Sequence, residues 1–104
     1  MFSIAVDQGG RIRMVEIPDP VPSPHQAVIQ SEAACICNAT DTEIVEGDLP
    51  EVSHYPALLG HENVGVVVSV GDRVTSYQPG DRVVGGLLPT PTDPAYASGF
   101  GGFS

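Results

Sequence analysis

Three side chains in this sequence are of the types that bind zinc. Cys37 supplies a thiol, and His61 and Glu62 are adjacent in "YPALLGHENVGVVVSV". A catalytic zinc accepts thiolate, imidazole and carboxylate groups, and it uses three protein ligands while one position stays open. Such an ion acts as a Lewis acid on an alcohol or a carbonyl. The separation of Cys37 and His61 has no finger-like regularity, so spacing alone leaves open either a metal site or a surface His–Glu pair beside an unrelated thiol.

Thr40 and Asp41 follow the cysteine closely and have two interpretations. Both residue types cap helices, and one of them could do only that. If a metal is bound, the hydroxyl of Thr40 could pass a proton from an alcohol, and Asp41 could accept a hydrogen bond from the second ring nitrogen of His61.

The remaining thiol and imidazoles are predicted to carry no chemistry. Cys35 and Cys37 are one residue apart, so on a strand they point to opposite faces and form no disulfide with each other. We expect reduced thiols, with Cys35 a buried and inert one. His25, in a proline-rich stretch, and His54, in a loop, are expected to be solvated.

Composition limits the class of protein. The chain has 104 residues, enough for one domain with a modest core, and its net charge of −9 disfavours binding to nucleic acid, whose phosphates require basic contacts. The acidic excess is explained by a solvated surface or by adaptation to high salt. No stretch is long and apolar enough to span a membrane, and no signal pattern starts the chain, so we expect a cytoplasmic protein.

The elements that must position these residues are mostly strands. Strand patterns occur in "MFSIAV", "RIRMVEIP", "QAVIQSEAACIC" and "ENVGVVVSV", and the apolar run of the last predicts burial on both faces. "NATDTEIVEGD" predicts a short helix that is capped by Asn38, Thr40 or Asp41 and ends at Gly47. "GDRVTSYQPGDRVVGG" predicts a turn, a short strand, a second turn and a strand.

The connections are of three kinds. "DQGG" predicts a hairpin turn, and "LPEVSHYP" predicts a loop. The prolines from Pro18 to Pro24 predict an extended connection on the surface. Residues 87–104 show no convincing regular element. About six short strands and one helix then form a small barrel or a partly open sheet. No G-x-G-x-x-G pattern is present, because the glycines of "GFGGFS" have the wrong spacing.

In combination, these stretches resemble a known family. "VEIPDPVPSPHQAVIQSEAACICNATD", "YPALLGHENVGVVVSVGDRV" and "YQPGDRVV" are similar, in this order, to the N-terminal catalytic domain of zinc-dependent medium-chain alcohol dehydrogenases. The resemblance extends over residues 1–104 and implies a GroES-like, mostly β fold, a partly open barrel with one or two short helices.

The resemblance also assigns roles to residues. Cys37 and His61 match the catalytic zinc ligands, and Glu62 matches an acidic residue that is a ligand in some members and a transient one in others. Asp41 matches the carboxylate that orients the ligand histidine, and Thr40 matches the hydroxyl of the proton relay.

The sequence departs from the family pattern in several places. Asp41 lies four residues after Cys37 where three are common, and Glu43 stands where many members have a relay histidine. Residues 87–104 contain no cysteine, so we predict no structural zinc. The family continues with a final zinc ligand and a Rossmann domain for NAD or NADP. We therefore expect residues 1–104 to be an incomplete catalytic domain that does not catalyse the reaction alone and whose solubility is marginal.

The resemblance implies that the full-length protein is an enzyme, most often a homo-oligomer, that oxidises an alcohol or polyol to a carbonyl with NAD(P). Two alternatives stay open. A GroES-like binding or co-chaperonin module would share the fold but would not need Cys37, His61 and Glu62 together. A zinc-free quinone reductase of the same superfamily would share the fold and lack the metal.

Overall fold

The computed structural model describes residues 1–85 and 93–97. Over this part of the chain it contains six strands and one helix, and the helix and five of the strands match predicted segments. The elements in chain order are β1 (Phe2–Val6), β2 (Ile12–Glu16), β3 (Ala27–Cys35), α1 (Thr40–Glu46), β4 (Ala57–Leu58), β5 (Glu62–Val70) and β6 (Arg82–Gly85).

The strands form two small antiparallel sheets that do not close into a complete barrel. One sheet has the order β2–β1–β4, and the other has the order β3–β5–β6. "DQGG" makes the predicted hairpin turn between β1 and β2, where the Gly10 N–H donates to the Asp7 carbonyl at 3.0 Å. The prediction of a mostly β fold with a partly open arrangement of strands is therefore confirmed. The two-residue strand β4 follows the predicted loop and is too short to show a pattern in the sequence.

The predicted helix is present, but its predicted cap is wrong. Ala39 is the N-cap of α1, and no side chain caps the helix. Thr40 and Asp41 lie inside the helix instead, and the Asp41 carboxylate turns back toward the residues that precede it. Gly47 ends α1 as predicted, in a left-handed conformation with φ of 84° that suits a glycine.

The core lies on both faces of the sheet β2–β1–β4, and α1 packs against one of them. Two clusters of buried side chains fill it: Val6, Ile44, Ala57, Leu59 and Ala97 in the first, and Ala5, Val15, Ile17 and Leu58 in the second. Ala97 reaches the first cluster through a parallel bridge to Ala57, which is next to β1 in the sheet. Along the sequence, the chain therefore returns to the first sheet after the last strand of the second sheet.

The second sheet is more open than the sequence predicts. In β5 only Gly65 and Val67 are buried, and Val68 is 46% exposed, so the prediction of burial on both faces is wrong. The reason is that the described part of the chain covers one face only partly. The predicted short strand between the two Gly-Asp-Arg turns is also absent, since residues 74–78 form no ladder and only β6 follows the second turn.

The last part of the chain is described only at residues 93–97, which form a turn and the bridge at Ala97. The prediction for the rest of residues 87–104 lies outside the described residues. No helix among the described residues has the length and apolar character needed to cross a membrane.

Candidate metal centre

The pairing of β3 with β5 brings the three predicted ligands to one place. The two strands are antiparallel, and the last residue of β3, Cys35, pairs with the first residue of β5, Glu62. Cys37 comes two residues after the end of β3, and His61 comes one residue before β5. Because the end of one strand lies beside the start of the other, residues distant in sequence become neighbours.

The donor atoms of Cys37, His61 and Glu62 all lie within 4.8 Å of one another. Cys37 and His61 are half-buried, whereas the Glu62 side chain is 52% exposed. The two ring nitrogens of His61 face different neighbours: Nδ1 lies 3.6 Å from Asp41 Oδ1, and Nε2 lies 4.0 Å from Glu62 Oε1. The ring edge that carries Nε2 thus faces the carboxylate of the group.

Asp41 contacts the group from the side of the helix. Its side chain is 7% exposed, and its Oδ2 accepts a hydrogen bond from the Cys37 N–H at 2.9 Å. The Asp41 N–H donates to the Cys37 carbonyl at 3.1 Å. The sequence prediction did not include this link to Cys37. The feature of the sequence that could have indicated this link is the four-residue spacing of Cys37 and Asp41. At this spacing, a side chain in the first turn of a helix can reach back to the backbone just before the helix.

The other predicted residues are distributed as follows. Thr40 is the first residue of α1 and half-buried, and its role stays a prediction. Cys35 and Cys37 are both free thiols, as expected. Cys35 is exposed, so the prediction of a buried thiol is wrong; the uncovered face of the second sheet leaves it open to solvent. His25 and His54 are exposed as predicted, and His54 Nδ1 lies 2.9 Å from the Ser53 hydroxyl.

A perturbed ion pair lies on the β1–β2 hairpin. Arg13 Nε donates to both carboxylate oxygens of Asp7 at 3.0 Å. This hydrogen bond, reinforced by the opposite charge of Arg13, lowers the pKa of Asp7 and raises the pKa of Arg13, while desolvation opposes both shifts. Neither residue belongs to the Cys37–His61–Glu62 group.

The donor set fits a zinc ion. One thiol, one imidazole and one carboxylate are ligand types for a catalytic zinc, and ligands around one tetrahedral zinc are roughly 3.3–3.8 Å apart. The three donors, all within 4.8 Å of one another, would have to move closer by about 1 Å at most to reach that range. The buried Asp41 Oδ1 accepts no hydrogen bond from the described residues and lies 3.6 Å from His61 Nδ1, so it is near enough to support a ligand histidine after a small shift.

Comparison with known proteins agrees with this architecture. The model of one protein family, described as the alcohol dehydrogenase GroES-like domain, matches residues 23–103. The chain belongs to this family. A curated relative, the class-3 alcohol dehydrogenase of Cereibacter sphaeroides, is 39% identical over 82 residues, which are 79% of this chain and 21% of the relative. The chain thus spans about a fifth of the length of the curated relatives that it matches.

Solved structures with the same fold include enzymes of two kinds. An alcohol dehydrogenase from Thermus sp. ATN1 superposes with a TM-score of 0.70 at 32% identity, over 81% of this chain and 24% of that one. A quinone oxidoreductase of Escherichia coli, solved with NADPH, superposes with a TM-score of 0.73 at 31% identity, over 81% of this chain and 26% of that one. The fold alone therefore does not distinguish an alcohol dehydrogenase from a quinone oxidoreductase.

Proposed function

We propose that this chain is the zinc-binding part of an alcohol dehydrogenase, which oxidises a primary or secondary alcohol to a carbonyl with NAD or NADP in the complete protein. The observation that carries the proposal is the convergence of Cys37, His61 and Glu62 within 4.8 Å. The relatives named alcohol dehydrogenase support the same activity.

The residues of this chain have distinct roles in the proposed reaction. Cys37, His61 and Glu62 hold the zinc, which supplies Lewis-acid polarisation of the substrate oxygen when bound. Asp41 orients His61 so that Nε2 faces the metal. Thr40 Oγ1 takes the proton from the alcohol hydroxyl and passes it toward solvent. The nicotinamide that accepts the hydride binds to a part of the protein beyond these residues.

Two other functions compete with this proposal. The structural likeness to quinone oxidoreductases favours a zinc-free reductase. Those enzymes would share the two sheets, but a thiol, an imidazole and a carboxylate would have no reason to converge. The same convergence argues against a stand-alone binding or co-chaperonin module, for which the sheets alone would suffice.

Metal content tests the proposal. The whole natural chain, purified in reducing buffer, should carry about one zinc per site by elemental mass spectrometry. Cys37→Ser and His61→Ala should lose this zinc and reduce kcat/KM for alcohol oxidation by more than about 100-fold, because they remove ligands directly.

The chain offers a matched control for each variant. Cys35→Ser removes the other thiol and His54→Asn removes an exposed imidazole, so both should keep the zinc. A folded, reduced wild-type protein that binds no zinc would contradict the proposal, and reduction of quinones by that protein would favour the reductase.

A further inference from the structure

One carboxylate contacts two of the three proposed ligands. Asp41 Oδ2 accepts the hydrogen bond of the Cys37 N–H at 2.9 Å, and Asp41 Oδ1 lies 3.6 Å from His61 Nδ1. The two contacted residues reach the site from different strands, Cys37 after β3 and His61 before β5. The resemblance to the family implies a role of Asp41 toward His61 only.

We propose that Asp41 is a positioning residue for Cys37 as well as for His61, so that one side chain sets the distance between the thiol and the imidazole. The proposal rests on the proposed zinc function. It adds that the backbone of the thiol ligand is fixed before any metal binds.

The backbone around Cys37 needs such a contact. The ladder between β3 and β5 ends at the pair Cys35–Glu62, so Cys37 lies outside the sheet. It also precedes α1, so the Cys37 N–H belongs neither to the sheet ladder nor to the helix. The Asp41 carboxylate accepts one N–H of this segment, and the Asp41 N–H in turn holds the Cys37 carbonyl. Cys37 is therefore held on both sides of its Cα atom.

The strength of this link comes from charge and burial. A hydrogen bond to an ionised acceptor is about twice as strong as a neutral one. The Asp41 side chain is 7% exposed, so little water competes for Oδ2. A thiol on a fixed backbone explores fewer positions, so less conformational entropy is lost when it binds a metal.

Two substitutions separate the contact with Cys37 from the contact with His61. In Asp41→Asn the side-chain carbonyl can still accept the Cys37 N–H, while an amide group replaces the oxygen that faces His61. In Asp41→Ala both contacts are lost. If Asp41 acted on His61 alone, the two variants would have the same effect on Cys37.

The first readout is amide hydrogen exchange of Cys37 by NMR in the whole reduced protein without metal. We expect Asp41→Ala to speed the exchange of Cys37 relative to Val67, whose N–H is bonded to the Asp81 carbonyl, by about tenfold or more. Asp41→Asn should speed the exchange less than Asp41→Ala does, because the hydrogen bond is kept although its acceptor is no longer charged. If Asp41→Ala does not fold, Asp41→Ser, which is too short to reach the N–H, takes its place.

The second readout is the thiolate-to-metal charge-transfer band of the protein titrated with Co²⁺. The band should form at higher cobalt concentration in Asp41→Ala than in Asp41→Asn, by about 10-fold or more. Asp48→Asn removes the same charge just after the helix, from an exposed residue, and should leave both readouts unchanged.

The outcomes separate the two levels of the proposal. Equal exchange of the Cys37 amide in the wild type and in Asp41→Ala would overturn the role toward Cys37, whatever the metal does. A wild-type protein that shows no cobalt–thiolate band would overturn the proposed zinc function, and the exchange experiment would still decide whether Asp41 fixes Cys37.

Discussion

The sheet β2–β1–β4 has a cluster of buried apolar side chains on each face, one of which includes Ile44 of α1, whereas the sheet β3–β5–β6 buries few side chains and depends on its backbone ladder. The proposed ligands lie where the two parts meet: Cys37 between β3 and α1, and His61 between β4 and β5. The packed part thus supplies stability, and the open sheet supplies the strand register that brings the ligands together.

The largest loss of stability is expected from a substitution in the packed part. Ile44 is fully buried in the first cluster, so Ile44→Ala should lower the free energy of unfolding by about 3–4 kcal/mol through lost contacts and a residual cavity. Chemical denaturation of the whole protein measures this change.

The matched substitution in the open sheet is Val68→Ala, where the side chain is 46% exposed. It should cost less than about 1 kcal/mol, since little apolar area is lost. Equal costs at Ile44 and Val68 would show that both parts are packed alike.

A second prediction concerns the ladder itself. A Cβ atom on Gly65 would clash with the backbone oxygen of Gln30 on the neighbouring strand and lie 2.7 Å from Ile29 Cγ2. Gly65→Ala should therefore push β3 away from β5 and cost about 2–3 kcal/mol. It should also lower the affinity for zinc, because the distance between Cys37 and His61 depends on this pairing.

Ser69→Ala changes a small side chain on the same strand and is the control for Gly65→Ala. It should keep zinc binding at the wild-type level. Zinc affinity, measured by competition with a chelator, distinguishes the two variants, and unchanged affinity in Gly65→Ala would contradict the positioning role of the ladder.

The smallest effect is expected on the β1–β2 hairpin. Because Arg13 lowers the pKa of Asp7, the pair stabilises the fold at pH values above the ordinary aspartate pKa of 3.8, and this contribution is lost as the pH falls through the lowered pKa. Asp7→Asn should thus lower Tm slightly at pH 7 and match the wild type in strong acid.

Asp72→Asn removes an exposed carboxylate in a turn and is the control for that measurement. It should show no such convergence with the wild type. A Tm difference between Asp7→Asn and the wild type that is constant from pH 7 to pH 2 would contradict the ion-pair explanation.

Much of the open sheet could be predicted from sequence, because β3 and β5 carry long runs of strand-forming residues. Their register could not, since it depends on irregularities in pairing near Val28 and Ser31 that no local pattern shows. The exposure of Cys35 and Val68 was also missed, because a local pattern does not show which face of a sheet another element covers.

The residues of the candidate site could be predicted from the sequence, but the contacts of Asp41 that hold them in place could be predicted only in part. The types of Cys37, His61 and Glu62 and their resemblance to a family identified the group. The link from Asp41 to the Cys37 backbone depends on where the helix begins, and the predicted side-chain cap of α1 competed with it for the same carboxylate.

The bridge between Ala57 and Ala97 has a consequence for how this chain folds during synthesis. Ala97 shares a buried cluster with Val6, so the surroundings of β1 are complete only after Ala97, the last described residue, has been synthesised. Contacts so distant in sequence form slowly, because a long loop must close first. We expect the nascent chain to expose apolar surface until this stretch emerges, and so to depend on chaperones at that stage.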